Sequence, residues 1–258
     1  MKAFKTIFST VLFLAFLGFS SHTKAQISQG DIAIVGYNHD VTPKELAIVT
    51  LAEIPSGQVI RISNFAWSAA NAFETGGFTD GAITWTLTSS VPAGTVIKIT
   101  VIGNGSVGVS DGTPVVGGGL TAFGTIAVTG WTGTSTSVPT ASGGGNWFIY
   151  QGTSPSATPS NWIFGFANWS TNSAGANAWQ TSEPLGSTSY LPSALTNGVN
   201  AIALTSQTAP GRHADNLVYT GTRNGSKATI LAALVTLTNW TGNETTSYDI
   251  NPGGSRFT

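Results

Sequence analysis

Short apolar runs alternating with polar residues recur along the chain from residue 30 onward, separated by turns rich in Gly, Pro, Asn and Ser. Successive side chains of a strand point to opposite faces, so this period of two predicts β-strands. Residues 30–37 (GDIAIVGY) and 44–54 (KELAIVTLAEI) form the first two, joined by a turn at 38–43. In the second, Leu46, Ile48 and Thr50 share one face and Ala47, Val49 and Leu51 the other. Apolar groups on both faces predict a central strand of a sandwich rather than an exposed edge.

Residues 54–63 (IPSGQVIRIS) and 91–100 (VPAGTVIKIT) match position by position in residue type. Each reads as a turn followed by a strand: proline presets the first corner, and the glycine two places later accepts the positive φ that completes the turn. Ile60 and Ile62 in one copy, and Ile97 and Ile99 in the other, are expected in the core, with Arg61 and Lys98 on solvated outer faces. Two copies do not make a solenoid, which needs at least about three. Duplicated strand hairpins within one sandwich account for them.

Between the copies, residues 64–80 form a loop with four aromatics, and 82–88 (AITWTLT) a strand with Ile83, Trp85 and Leu87 inward. Residues 103–145, dominated by Gly, Thr, Ser and Val, predict short strands around 125–129 and long turns. Residues 146–150 (NWFIY) and 162–166 (WIFGF) read as buried strands joined by a Ser/Pro-rich hairpin tip at 152–160. An ordered loop follows at 168–191, then a strand at 199–204 (VNAIAL). Only residues 226–237 (SKATILAALVTL) have helical spacing, with Ser226 as N-cap and Ile230, Leu231, Leu234 and Leu237 as a stripe laid against the sandwich. The prediction is an all-β protein, a β-sandwich of mainly antiparallel strands with one short C-terminal helix, built as a single domain over 26–258.

Residues 1–25 differ from the rest. Lys2 and Lys5 precede an apolar run at 7–19 that ends in small and polar residues, the layout of a secretory signal peptide cleaved after Ala25. That run is shorter than the roughly 20 residues of a membrane helix and no later stretch reaches that length, so no transmembrane segment is expected in the mature chain. Lipidation is not expected either, because no cysteine stands at the cleavage site.

Cleavage removes Lys2, Lys5 and Lys24 and takes the formal net charge from −1 to −4. No nucleic-acid partner is expected, since that would need a basic face. Charged residues make up only 8% of the chain, so hydroxyls and amides must solubilise the surface, as suits extracellular and self-associating proteins. The lack of cysteine excludes disulfides, thiolate metal sites and a cysteine nucleophile. Stability rests on burial, for which 8 Trp and 13 Phe supply the area.

Hydrolytic catalysis needs a nucleophile and a base, or paired carboxylates, within reach of each other. The mature chain holds only His39 and His213, with no Gly-x-Ser-x-Gly elbow, His-Glu-x-x-His or Walker loop. Glycine runs at 117–119 and 143–145 lack the lysine and strand-to-helix setting of a phosphate cradle. The expectation is a non-enzymatic protein with no catalytic residues and no cofactor, whose exterior gathers no reactive groups. In the densest polar cluster, Arg212-His213-Ala214-Asp215-Asn216, His213 and Asp215 would share one face of an extended segment. Asp-Asn pairs commonly bond their own backbone at turns, and a structural role is expected. Calcium would draw on scattered aspartates such as Asp80 or Asp111, but no D-x-D-x-D pattern occurs and no metal ligand is assigned. Trp67, Trp131, Trp169 and Trp179 fall in loops and are the candidate ligand-binding residues, able to stack on sugar rings. Trp85, Trp147 and Trp162 fall in strands and belong to the core.

The segments GDIAIVGYN, KELAIVTLAEIPSGQVI, AITWTL with VPAGTVIKIT, LPSALTNGVNAIAL, and ADNLVYTGTRNGSKATILAAL with NWTG resemble, over nearly the whole mature chain, a family of secreted domains from Bacteroidetes-type bacteria. The resemblance implies export and a β-rich domain, often found in longer surface proteins with a C-terminal type IX secretion sorting domain. Here a Gly-rich tail, 253–258, follows. The PxGxVI strand is also similar to lamin-tail-like sandwiches, at the level of fold alone. The functional expectation is a secreted or cell-surface structural or adhesive protein that self-associates through β-strand edges. The alternative is a lectin-like module that binds cell-surface glycans.

Overall fold

The computed structural model describes residues 26–41, 44–74, 80–101, 109–111, 119–130, 145–170, 176–182, 188–206, 214–250 and 257–258. The expected signal peptide, residues 1–25, lies outside them.

The first two predicted strands are present as β1 (Ile32–Asn38) and β2 (Lys44–Thr50), paired antiparallel. They lie at the middle of a six-stranded sheet completed by β7 (Val96–Val101), β8 (Val109–Asp111), β13 (Asn216–Tyr219) and β14 (Trp240–Asn243), in the order β14-β13-β1-β2-β7-β8. A second six-stranded sheet contains β3 (Val59–Ser63), β6 (Gly81–Leu87), β9 (Gly124–Gly130), β10 (Asn146–Gln151), β11 (Asn161–Ala167) and β12 (Ala201–Ala203). Its order is β12-β11-β10-β3-β6-β9. Pairing is antiparallel throughout both sheets except between β11 and β12, which run parallel. A two-stranded hairpin, β4 (Ala66–Trp67) and β5 (Phe73–Glu74), stands beside them.

The sheets form a β-sandwich because each has an apolar face that leaves water only by lying on the other. Ile34, Ile48 and Ile97 from the first sheet share one buried cluster with Ile60, Ile62, Trp85, Trp147 and Ile149 from the second. The duplicated segments end up in opposite sheets, as β3 and β7. Gly57 and Gly94 have φ of 75° and 79°, the conformation that each turn requires. Ile54 and Val91 exchange two backbone hydrogen bonds of 2.9 Å, so each turn braces the other.

The second sheet is also covered on its outer face. Phe65, Trp67, Phe73, Trp179 and Leu195 pack there over Phe148, Tyr150 and Trp162. This corrects the expectation for Arg61, which is only 6% exposed. Its guanidinium donates to the carbonyls of Gly152 (3.2 Å) and Thr153 (3.1 Å) and to Thr84 Oγ1, so the hairpin tip takes the place of solvent. Lys98 stays half-buried and pairs with Glu45 at 2.8 Å.

Two α-helices occur among the described residues, a single turn α1 (Leu120–Phe123) and the expected α2 (Lys227–Leu234). Ser226 caps α2 by accepting from the Thr229 amide, and Ile230 and Leu234 bury against the core. The helix stops short of residue 237 because the Trp240 indole donates to the Leu234 carbonyl at 2.8 Å, satisfying a group that another turn would have used. No helix among the described residues is long and apolar enough to cross a membrane.

Candidate functional site

One end of the sandwich gathers ionisable side chains from segments far apart in sequence. The turn after β1 carries His39 and Asp40, and Asp215 immediately precedes β13. Antiparallel pairing of β1 with β13, in which Asn38 faces Asn216, brings them together, and the His39 amide donates to the Asp215 carbonyl at 2.9 Å. Donor atoms of His39, Asp40 and Asp215 all lie within 4.8 Å of one another.

Asp40 and His39 are held from outside the trio. The Asn216 carboxamide donates to Asp40 Oδ2 at 2.7 Å and accepts from the Asp40 amide at 3.4 Å. Lys44 donates to the His39 carbonyl at 2.9 Å, which fixes the turn. Tyr37, two residues before His39, reaches the same end from inside the sandwich, where its hydroxyl is buried without a hydrogen-bond partner. Asp215 Oδ1 is buried and unpartnered as well.

The electrostatics follow from that crowding. Burial raises the Asp215 carboxyl above its ordinary value, Asp40 raises it further, and His39 and Lys44 oppose them. Burial also raises Glu244, with Asp215 and Asp40 adding to it. Lys44 is lowered to about 8, chiefly by burial. Three carboxyls thus face one ammonium and one imidazole, which corrects the expectation that no reactive groups are gathered. His213, placed by sequence on one face with Asp215 and expected to have a structural role, lies outside the described residues. Asp215 meets His39 and Asp40, neither of which the sequence singled out.

The candidate tryptophans have different fates. Trp67 lies in β4 rather than a loop and is 4% exposed, and Trp179 is 7% exposed. Trp67 packs edge-on against Trp162 at 4.9 Å between centroids, and Trp179 stacks on Phe148 at 5.7 Å. Their faces serve the second core cluster. Trp169 is half-buried, and Trp131 lies outside the described residues. Trp85, Trp147 and Trp162 are core residues, as expected.

Two further surfaces stand out. Strand β9 (GTIAVTG) is an edge of the second sheet, bonded to β6 on one side, uncharged, with Thr125, Ala127, Val128 and Thr129 exposed. A cleft of about 230 Å³ lies where Leu51, Gly94, Lys227, Ile230 and Phe257 meet. Among the described residues the only charged side chain lining it, Lys227, is engaged by Asp31. As for aspartates considered for calcium, Asp80 is a buried carboxyl bonded by Asn64 at 2.8 Å, and the side chain of Asp111 is outside the described set. No family model matches this chain, and neither does any curated protein or solved structure.

Proposed function

We propose that this protein is exported through a signal peptide cleaved after Ala25 and acts outside the cell as a non-enzymatic structural or adhesive module. Copies join through the free side of β9. The observation that carries this reading is that edge: seven residues, none charged, with one bonded neighbour among the described residues. Edge strands normally carry a lysine, a proline or a bulge that blocks strand addition, and β9 has neither lysine nor proline. The low charge of the whole chain and its resemblance to secreted β-rich domains support the same reading.

Light scattering after size exclusion, together with negative-stain imaging, tests it. The purified protein should form oligomers or fibres that Ala127→Lys and Thr129→Lys, placed on exposed positions of the edge, convert to monomers. A parent protein that is monomeric at every concentration would refute assembly. The glycan alternative retains Trp131 and Trp169, and glycan-array binding by such a monomer, lost in Trp169→Ala, would favour it.

A further inference from the structure

The geometry points to a site for a single divalent cation of zinc-like preference at the end of the sandwich, with His39, Asp40 and Asp215 as its protein ligands. Their donor atoms are within 4.8 Å of one another, and His39 Nδ1 stands 3.9 Å from Asp40 Oδ1. Two ligands at about 2.0–2.2 Å from a tetrahedral zinc are about 3.3–3.6 Å apart, so side-chain rotation is enough to close the set.

An independent observation turns this cluster into a site. Tyr37 is 1% exposed, and its hydroxyl has no hydrogen-bond partner. Its ring centroid is 6.4 Å from that of His39, which places the Tyr37 ring beside the cluster. Asp215 Oδ1 is a second buried oxygen without a partner. Native proteins rarely leave such atoms unsatisfied. A bound cation satisfies Asp215 Oδ1 directly, and a water in its remaining position supplies the Tyr37 hydroxyl with the partner it lacks.

The surroundings orient the ligands and set the charge. Asn216 holds Asp40 Oδ2, which leaves Oδ1 for the ion. Such outer hydrogen bonds fix ligand geometry in metal sites. Lys44 is the cation next to the cluster among the described residues, and its ammonium is bonded to a backbone carbonyl rather than to a carboxylate. Asp40, Asp215 and Glu244 outweigh it. Imidazole nitrogen with two carboxylates suits zinc-class ions, whereas calcium takes about six to eight oxygen ligands. Asp40 and Asn216 are 176 positions apart, so a bound ion would pin the β1–β2 turn to the segment entering β13.

The purified protein, stripped with EDTA, is titrated calorimetrically with zinc and separately with calcium, and the zinc-loaded protein is examined by X-ray absorption. The expected results are one zinc per chain, a nitrogen and oxygen shell that contains imidazole, and much weaker calcium binding. Asp215→Asn and His39→Gln should each weaken zinc binding at least about 10–100-fold. Asp80→Asn, outside the cluster, should leave it unchanged. Absence of zinc binding, a zinc shell without imidazole, or parent-like affinity in both ligand variants would overturn the site. If a variant loses its β-sheet circular dichroism, the absorption spectrum of the parent protein decides alone.

Discussion

Asp80 ends the loop that leads into β6, and its carboxyl is almost wholly buried. Oδ1 accepts from Asn64 at 2.8 Å, while Oδ2 is buried with no partner. Burial raises this carboxyl from 3.8 to about 7, and the Asn64 bond offsets part of the rise. Because the folded value lies above the unfolded one, the folded state holds a proton that the unfolded state has already released between about pH 4 and about pH 7. Stability therefore falls as pH rises through that window and levels off above it. Roughly three pH units at 1.36 kcal/mol each give about 4 kcal/mol lost by neutral pH. Asp80→Asn keeps the acceptor for Asn64 and mimics the protonated acid. Urea denaturation followed by tryptophan fluorescence should find the variant close to the parent near about pH 4 and more stable by up to about 4 kcal/mol near about pH 8. Taking the difference between the two proteins cancels the titrations of Asp215 and Glu244. A difference that does not change with pH, or a variant less stable than the parent above neutrality, refutes the reasoning.

Three other substitutions probe the packing and the caps. A methyl group on Gly36 would stand 2.6 Å from Cβ and Cγ2 of Ile250, so Gly36→Ala should cost about 1–3 kcal/mol in thermal denaturation, and Ile250→Ala in the same chain should cost less than additively. Arg61→Lys cannot reproduce the guanidinium fork that serves Gly152 and Thr153; a loss of about 1–3 kcal/mol is expected, with faster proteolysis within 152–160. Ser226→Ala removes the acceptor for the Thr229 amide and should lower stability by about 1 kcal/mol, seen as a lower denaturation midpoint at an unchanged slope.

The elements that were legible in the sequence are those whose pattern is local. Alternation in β1, β2, β3, β6 and β7 reports directly which side chains share a face, and the PxG turns announce their own positive φ at Gly57 and Gly94. The cap at Ser226 is likewise read within four residues. Arg61 was misread because period two says which residues lie opposite the core, but not whether that opposite face is itself covered. Here the hairpin tip at Gly152 and Thr153 covers Arg61, and Phe65, Trp67, Phe73 and Trp179, on segments without a strand-like period, cover the neighbouring part of that face. The same cover explains why Trp67 and Trp179, assigned to loops, are buried: a large aromatic outside regular alternation has the composition of either a binding face or a lid.

The ionisable cluster was illegible for a different reason. His39 and Asp40 read as ordinary turn residues, and Asp215 reads beside His213, because a linear scan weighs neighbours in sequence. What unites them is the register of β1 on β13, in which Tyr37 faces Leu217 and Asn38 faces Asn216. A register slip of one residue would turn the side chains of β13 to the opposite face and separate Asp215 from His39. The cluster therefore depends on long-range pairing that local propensity does not encode, and an ion bound there would stabilise that register over its neighbours. Removing the ion should loosen β13 and the turn at 39–41 before the rest of the sandwich, and amide exchange should rise first at Asn38, His39 and Asn216. Uniform protection with and without zinc would mean that the sheet sets the register by itself.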